Sequence, residues 1–268
     1  MTLVKTVIDG KEIEVERDRW ALDIAREMGI SIPTLCHHPA LEPYGACRLC
    51  VVEVTKDERT WLTTSCDLPI REGLSIKTNT PAVMESRKMT LELLWARAPQ
   101  AEYIQKLASE YGVEKPRFAV CDDLGKCILC GLCVRVCSEL VGASAISFTN
   151  RGVERKISTP FDVSSDSCIG CNACAVVCPT GHILSTDIGL VRHMETWKTE
   201  LDMVRCQVCG RAYIPAKEFE HIQSKLGEQM ALEKICPLCR RSQTAGRLEA
   251  ASTGTKTELA KIPALFEI

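Results

Sequence analysis

Cysteine is the residue type that most constrains what this chain can fold into. The sequence holds 17 cysteines in 268 residues, and sixteen of them fall into groups with short, fixed spacings. The first residues, Met1 to Thr6, lack the apolar stretch of a signal peptide, so an oxidising compartment that would favour disulfides is not indicated. Thiolates bind soft metals well, and a reducing cytosol keeps them available. The pattern predicts a cytoplasmic metalloprotein rather than a disulfide scaffold.

Charge and hydropathy exclude several other classes. Lysine and arginine number 33 against 35 acidic residues, a formal charge of -2, which removes the main argument for a nucleic-acid or anionic-membrane partner. No apolar run approaches the roughly 18–20 residues that span a bilayer. We therefore expect a soluble protein without nucleic acid or a membrane span, built from two or three domains of roughly 100–150 residues each.

The first cysteine group comes after a strand-turn-strand-helix pattern in residues 1–34. A hairpin of Val51–Val54 with Trp61–Thr64 is predicted between the last two cysteines of the group. Its spacing is C-x10-C-x2-C-x15-C, formed by Cys36, Cys47, Cys50 and Cys66. Four such cysteines can supply two thiolates to each iron of a [2Fe–2S] cluster. The alternative is a zinc site, but zinc ribbons usually use two close cysteine pairs, whereas here the outer cysteines stand alone. His37 and His38 are not needed as ligands.

The second group is an internal duplication. The motif C-x2-C-x2-C-x3-C occurs twice, as Cys127, Cys130, Cys133 and Cys137, and again as Cys168, Cys171, Cys174 and Cys178. In a two-cluster ferredoxin the fourth cysteine of each run binds the other cluster. This predicts one [4Fe–4S] cluster on Cys127, Cys130, Cys133 and Cys178, and a second on Cys168, Cys171, Cys174 and Cys137.

The third group consists of two C-x2-C pairs, Cys206 with Cys209 and Cys236 with Cys239. Four thiolates in this arrangement favour a tetrahedral zinc or a single iron, and a further [4Fe–4S] cluster also fits. A helix is predicted between the pairs, from Ala216 to Leu226. Ser242 to Lys256 is predicted to be a flexible linker, and the apolar end, Leu259 to Phe266, to be either a partner-docking segment or a frayed tail. Cys121 is expected to be a free thiol.

Three stretches resemble a known family. Two of them follow one another around the first cysteines, namely Ile32-Pro33-Thr34-Leu35-Cys36-His37-His38-Pro39 and Gly45-Ala46-Cys47-Arg48-Leu49-Cys50-Val51-Val52-Glu53-Val54. This part of the sequence resembles the N-terminal domain of the large iron–sulfur subunit of respiratory complex I. It is equally similar to the matching diaphorase subunit of NAD-reducing hydrogenases and NAD-linked formate dehydrogenases, and Lys126 to Cys137 repeats the likeness. The resemblance implies that a β-grasp [2Fe–2S] domain comes first. Plant-type ferredoxins, with C-x4-C-x2-C, differ.

These observations together predict an α+β chain of four parts. They are a β-grasp [2Fe–2S] domain (1–80), a helical bridge (81–115), a bacterial-type 2[4Fe–4S] ferredoxin domain (116–186) and a small C-terminal four-Cys metal module (187–268). The bridge is predicted to hold helices from Pro81 to Trp95 and from Ala101 to Tyr111. The family usually places further His and Cys cluster ligands in this bridge, but here Ala98 to Glu102 replaces them, so we expect that cluster to be absent.

The sequence also predicts a role without catalysis. It contains no G-x-G-x-x-G loop after a strand and no nucleophile–base constellation, so the catalytic centres are expected on other subunits. The resemblance implies an electron-transfer subunit between a flavin- and NAD(H)-binding subunit and a second catalytic subunit of hydrogenase or formate dehydrogenase type. A bifurcating complex with soluble ferredoxin as a third partner fits equally well. The alternatives are the iron–sulfur subunit of a fumarate reductase or succinate dehydrogenase, and a zinc-ribbon regulatory protein.

Overall fold

A computed structural model describes residues 2–120, 125–227 and 232–253. The chain divides into two compact units, one of Met1–Thr159 with Ala173–Leu184 and the other of Pro160–Asn172 with Ser185–Ile268. Cys121 and the apolar end from Leu259 to Phe266 lie outside the described residues. None of the described helices is both long and apolar enough to cross a membrane.

The first unit begins with a five-stranded mixed sheet. Its strands are β1 (Leu3–Ile8), β2 (Lys11–Glu16), β3 (Val51–Lys56), β4 (Arg59–Thr64) and β5 (Ser75–Lys77), in the order β2-β1-β5-β3-β4. β1 and β5 are parallel, and the other neighbours are antiparallel. Both predicted hairpins, β1–β2 and β3–β4, are confirmed. The central β5, only three residues long, was not predicted.

Helix α1 (Ala21–Glu27) covers this sheet. Its apolar residues Leu22 and Ile24 are fully or almost fully buried in one cluster with Val52, Val54 and Ile76 of the strands. The helix was predicted from the same apolar spacing, and the left-handed Gly29 lies just beyond its end, as is common at helix C-termini. This cluster also contains Cys50 and Cys66, so the core of the sheet lies against the first cysteine group.

Two helices follow the sheet. α2 (Pro81–Arg97) begins with proline at its first position, and the Thr80 hydroxyl accepts a hydrogen bond from the Val83 N–H, a typical N-cap. α3 (Glu102–Glu110) follows after a short connection. Both predicted bridge helices are confirmed within two residues at each end. In the connection, Ala98 and Ala101 are completely buried, so this segment has become part of an apolar core.

Shorter elements complete the first unit. They are α4 (Leu132–Arg135), a π-helical segment (Val136–Val141), the antiparallel pair β6 (Ser147–Thr149) and β7 (Lys156–Ser158), and α5 (Ala173–Val176). The β6–β7 pair lies between the duplicated cysteine motifs. Cys137 lies on the π-helical segment, and Cys178 follows α5 by two residues, so both fourth cysteines are carried by or directly after a helix.

The second unit is built on a four-stranded antiparallel sheet. Its strands are β8 (Thr186–Ile188), β9 (Val191–Met194), β10 (Thr199–Arg205) and β11 (Ala212–Pro215), in the order β11-β10-β9-β8. The predicted helix from Ala216 to Leu226 is confirmed as α6 (Ala216–Leu226). A second helix, α7 (Pro237–Thr253), follows. The sequence patterns did not predict this sheet.

The predicted linker from Ser242 to Lys256 is wrong as far as Thr253, because that part belongs to α7. Serine, threonine and glycine suggested a linker, and Gly246 does disfavour a helix by about 1 kcal/mol relative to alanine. Alanine, arginine, leucine and glutamate are strong helix formers that outweigh it. The helix also begins favourably, because Pro237 at its start has a backbone angle that suits the first turn.

Candidate metal centres

The first cysteine group is buried inside the first unit. Cys36 lies in the loop after α1, Cys47 and Cys50 lie in the loop that leads into β3, and Cys66 follows β4. All four are at most 4% exposed, and among the described residues no disulfide joins any of them. The fold thus brings together four buried thiols, three from the connection between α1 and β3 and one that follows β4, as a shared metal centre requires.

These four thiols form two pairs. The side chains of Cys36 and Cys47 share a hydrogen bond, as do those of Cys50 and Cys66. The Cys47 N–H also donates to the Cys36 sulfur at 3.3 Å. Two pairs are what a [2Fe–2S] cluster needs, since each iron takes two cysteines. One iron would be held by Cys36 and Cys47 and the other by Cys50 and Cys66.

The pairing also prepares thiolates. The hydrogen bond from the Cys36 thiol lowers the pKa of Cys47 to about 6, and that from Cys66 lowers the pKa of Cys50 to about 7. The same bonds, followed by burial, raise the pKa values of Cys36 and Cys66. One member of each pair is therefore readily deprotonated, which is the form that binds metal.

The first half of the duplicated motif converges in the same unit. Burial, followed by the neighbouring Cys178 and Cys127 thiols, raises the pKa of Cys130 to about 12. Burial likewise raises the pKa values of Cys127 and Cys133, and Cys178 again contributes to both. The His182 N–H donates to the Cys178 sulfur at 3.3 Å. Cys178 therefore lies close enough to influence each member of the first triplet.

The duplication is also visible in the backbone. In the first loop Leu129 and Gly131 have positive φ angles of 55° and 78°, and in the second loop the equivalent residues Gly170 and Asn172 have 72° and 59°. Left-handed backbone at the same two positions gives both loops the same course around their cysteines. For the second predicted cluster, Cys168 and Cys171 belong to the second unit while Cys137 and Cys174 belong to the first. That ligand set stays a prediction.

The C-terminal cysteines form the tightest group. The sulfurs of Cys206, Cys209, Cys236 and Cys239 all lie within 4.8 Å of one another, and those of Cys209 and Cys236 are 3.8 Å apart. The first pair occupies the turn between β10 and β11, and the second pair flanks the start of α7. Among the described residues, no other group of three or more His, Cys, Asp or Glu side chains has all its ligand atoms within 4.8 Å of one another.

Backbone N–H groups stabilise one of these sulfurs, that of Cys206, as an anion. The Cys236 N–H donates to the Cys206 sulfur at 3.3 Å. Burial acts to raise the pKa of Cys206, but N–H groups of Cys236, Cys209 and Val208 lower it to about 6. A thiolate that accepts several N–H groups is a typical ligand of a tetrahedral metal site.

The first two metal centres share one apolar core. Cys36, Cys47 and Cys130 belong to the same buried cluster, together with Leu49 and Ile128. Cys47 also contributes to the raised pKa of Cys130, so the two thiols are electrostatically coupled. Members of the first cysteine group and of the first triplet therefore lie in one buried apolar cluster.

One residue beside the first centre was not predicted from the sequence. Arg87 is 3% exposed and lies on α2. The signal was present, since Val83, Arg87 and Leu91 follow one another at intervals of four residues and all three are buried. A basic residue in the middle of an apolar helix stripe indicates a buried cation.

Comparison with known proteins identifies both iron–sulfur regions. Residues 2–81 match the family of the 2Fe–2S iron–sulfur cluster binding domain, and residues 126–182 match the 4Fe–4S dicluster domain. The chain is 32% identical over 209 residues to a subunit of the NADH-quinone oxidoreductase of Rhizobium meliloti, and 30% identical over 228 residues to the HndD subunit of the NADP-reducing hydrogenase of Solidesulfovibrio fructosivorans. The alignments cover 68% and 74% of this chain but 24% and 37% of the relatives.

A solved structure leads to the same result. One chain of a NAD⁺-reducing [NiFe]-hydrogenase in the H2-reduced state superposes with a TM-score of 0.56 at 27% identity, covering 66% of this chain and 85% of that one. The resemblance expected from the cysteine motifs is therefore confirmed. The chain carries [2Fe–2S] and dicluster [4Fe–4S] domains homologous to those of complex I and hydrogenase subunits.

Proposed function

We propose that this chain, a homologue of the iron–sulfur subunits of NADH-quinone oxidoreductases and NAD-linked hydrogenases, is a non-catalytic electron-transfer subunit. It relays single electrons between a flavin- and NAD(H)-binding subunit and a second catalytic subunit of hydrogenase or formate dehydrogenase type. The observation that carries this proposal is the apolar core shared by Cys36, Cys47 and Cys130. Two redox centres in one dry core exchange electrons with little solvent reorganisation. A bifurcating arrangement with soluble ferredoxin belongs to the same proposal.

The ligand sets follow the sequence motifs. A β-grasp domain holds the [2Fe–2S] cluster on Cys36, Cys47, Cys50 and Cys66, and the sheet order and the two thiol pairs support it. The first [4Fe–4S] cluster takes Cys127, Cys130, Cys133 and Cys178, supported by the influence of Cys178 on that triplet. The second takes Cys168, Cys171, Cys174 and Cys137, by analogy with the duplicated motif. These groups supply one-electron chemistry, and the protein supplies ligands, N–H donors and a water-free setting.

The C-terminal module holds one zinc ion in this proposal. With Zn–S bonds of about 2.3 Å, a tetrahedron places its sulfurs about 3.8 Å apart, and the Cys209 and Cys236 sulfurs are 3.8 Å apart. A [4Fe–4S] cluster would need its four thiolates farther apart, because four irons and four sulfides lie between them. A single iron has the same geometry as zinc, so metal analysis must distinguish the two.

Two observations weigh against the alternatives. The iron–sulfur subunits of fumarate reductases and succinate dehydrogenases have plant-like spacing at the first cluster, whereas Cys36 and Cys47 are separated by ten residues. A zinc-ribbon regulatory protein would need a basic surface for nucleic acid, and the chain has a formal charge of -2.

The proposal is tested in the intact complex, purified without oxygen together with its partner subunits. NADH is expected to reduce the iron–sulfur signals seen by electron paramagnetic resonance (EPR). A Cys130→Ala variant should lose electron transfer to the second catalytic subunit by at least about tenfold, because the first [4Fe–4S] cluster loses a ligand. NADH oxidation by an artificial acceptor that draws electrons at the flavin should persist.

Cys121→Ala is the matched control, since Cys121 is expected to bind no metal. It should leave the electron-transfer rate unchanged. Undiminished transfer in the Cys130→Ala complex would contradict the relay, as would a wild-type complex whose clusters NADH does not reduce.

A further inference from the structure

A buried arginine lies directly behind the cysteine loop of the [2Fe–2S] site. The Arg87 Nε donates to the Leu49 carbonyl at 3.2 Å, and its Nη2 donates to the Val51 carbonyl at 2.8 Å. These two carbonyls flank Cys50. The Tyr111 side chain also lies near the guanidinium. Arg87 therefore connects α2 to the backbone on both sides of one proposed ligand.

This guanidinium has no carboxylate partner within 4.0 Å among the described residues, unlike Arg117, which pairs with Glu92 at 2.7 Å, and Arg135, which pairs with Glu139 at 2.9 Å. Burial lowers the pKa of Arg87, while Tyr111, Cys50 and Asp9 counteract it in that order. The Asp9 carboxylate is itself bonded to the Thr78 N–H at 2.8 Å and hydroxyl at 2.6 Å.

A buried cation without a counter-anion is strongly destabilising. The hydrogen-bond partners of Arg87 are two neutral carbonyls, which accept from its N–H groups but do not balance its charge. Cys50 counteracts the burial of Arg87 more strongly than Asp9 does, and Cys50 belongs to the four-thiolate group where negative charge would accumulate. An assembled [2Fe–2S] centre with four cysteines carries a net negative charge, which increases by one upon reduction.

We propose that Arg87 is the counter-cation and positioning residue of the [2Fe–2S] centre, a role that rests on the proposed cluster at Cys36, Cys47, Cys50 and Cys66. Its charge stabilises the reduced cluster more than the oxidised one and so raises the reduction potential, since net charge and burial are among the factors that set it. Its two hydrogen bonds fix the backbone on either side of Cys50. Arginine suits both tasks, because its planar donors reach two acceptors at once while the charge remains.

The test uses the full chain, purified without oxygen, in an EPR-monitored redox titration of the [2Fe–2S] signal. That signal is recorded at temperatures where fast relaxation broadens those of [4Fe–4S] clusters. Three variants are compared with the wild type. Arg87→Gln removes the charge, and Arg87→Lys keeps it but cannot bridge both carbonyls. Lys88→Gln removes the same charge from the adjacent, exposed position on α2.

Arg87→Gln is expected to shift the midpoint potential to a more negative value, while Lys88→Gln leaves it unchanged and Arg87→Lys stays close to the wild type. A wild-type potential in Arg87→Gln, or an equal shift in Lys88→Gln, would overturn the inference. If the Arg87→Gln variant does not assemble the cluster, the Arg87→Lys variant tests the role of the charge instead. An assembled cluster at wild-type potential in the lysine variant supports the counter-cation role. If the lysine variant also fails to assemble the cluster, that role is overturned, because then only the hydrogen bonds matter.

The same titration separates this inference from the proposed function. Absence of a [2Fe–2S] signal in the wild-type protein would refute the cluster itself. A normal signal whose midpoint potential does not change when Arg87 is substituted would refute only the role of the arginine.

Discussion

At the scale of single residues, the two cysteine loops show that different residue types can adopt the same backbone conformation. The first loop accepts Leu129 with left-handed backbone, whereas the second has Gly170 at the equivalent position. Glycine is required there for space as well as conformation. A Cβ atom on Gly170 would come within 2.9 Å of the Leu201 Cδ1 and 3.0 Å of the Pro215 Cγ, closer than packed carbon atoms approach.

Replacing Gly170 with alanine is therefore expected to destabilise the second unit by roughly 2–4 kcal/mol, the sum of a left-handed alanine and an overpacked contact. Gly189→Ala is the matched control, because Gly189 has a similar φ of 61° but nothing within 4 Å of its Cβ position. That variant should lose only about 1 kcal/mol. Thermal unfolding followed by far-ultraviolet circular dichroism measures both losses, and equal losses would show that the contacts with Leu201 and Pro215 are unimportant.

At the scale of elements, predictability mostly followed the length of each pattern, although the seven-residue strand β10 was missed. The hairpins β1–β2 and β3–β4 and helices α2, α3 and α6 each carry enough periodic residues to be detected, and all were predicted. β5, β8 and β9 contain only three or four residues, too few for alternation to rise above chance, and the pairing of β5 with β1 depends on contacts distant in sequence. Residue composition led to the wrong prediction of a linker where α7 lies. Composition alone does not show that the first turn of α7 begins directly after Cys236.

The candidate sites were predictable for the same reason, since cysteine ligand motifs are local in sequence. Spacing alone identified all sixteen grouped cysteines. It could not show that Cys36 pairs with Cys47, nor that Arg87 lies behind Cys50, because both depend on how the loop packs against α2. Burial of a charge is a property of the folded chain, and only the i, i+4 stripe of Val83, Arg87 and Leu91 gave a hint of it.

The second C-terminal cysteine pair connects metal binding to one helix. α7 begins at Pro237, between Cys236 and Cys239, so a bound metal would hold its first turn against the β10–β11 turn. Between residues 237 and 248 the side chains are mostly exposed, and isolated helices of this length are marginal in water. Cys239→Ala should release the metal and lower the protection of residues 237–253 by at least about tenfold in hydrogen exchange.

The iron content and the protection of α1 and α2 should not change in that variant, because those helices belong to the other unit. Cys121→Ala again serves as the control for removing a thiol. Loss of the metal with undiminished protection of α7 would show that the helix is stable by itself, and the C-terminal metal would then have no part in holding it.

At the scale of the whole molecule, the duplicated motif predicts that two sequence-distant segments depend on each other. In the crossed assignment the fourth cysteine of each run completes the cluster of the other run. The wild-type chain should then contain about ten irons and ten sulfides, from one [2Fe–2S] and two [4Fe–4S] clusters, together with one zinc. Single substitutions cannot distinguish crossed from local assignment, since either removes one ligand from one cluster.

Double substitutions separate the two assignments. Cys137→Ala with Cys168→Ala removes two ligands from one cluster if the assignment is crossed, which should leave about six irons. If each run binds its own cluster, the same pair removes one ligand from both clusters. The result would then be about two irons, or two three-iron remnants with their own signal in the oxidised protein. Cys127→Ala with Cys178→Ala is the reciprocal pair and should also leave about six. Six irons in both variants would show that the assignment is crossed.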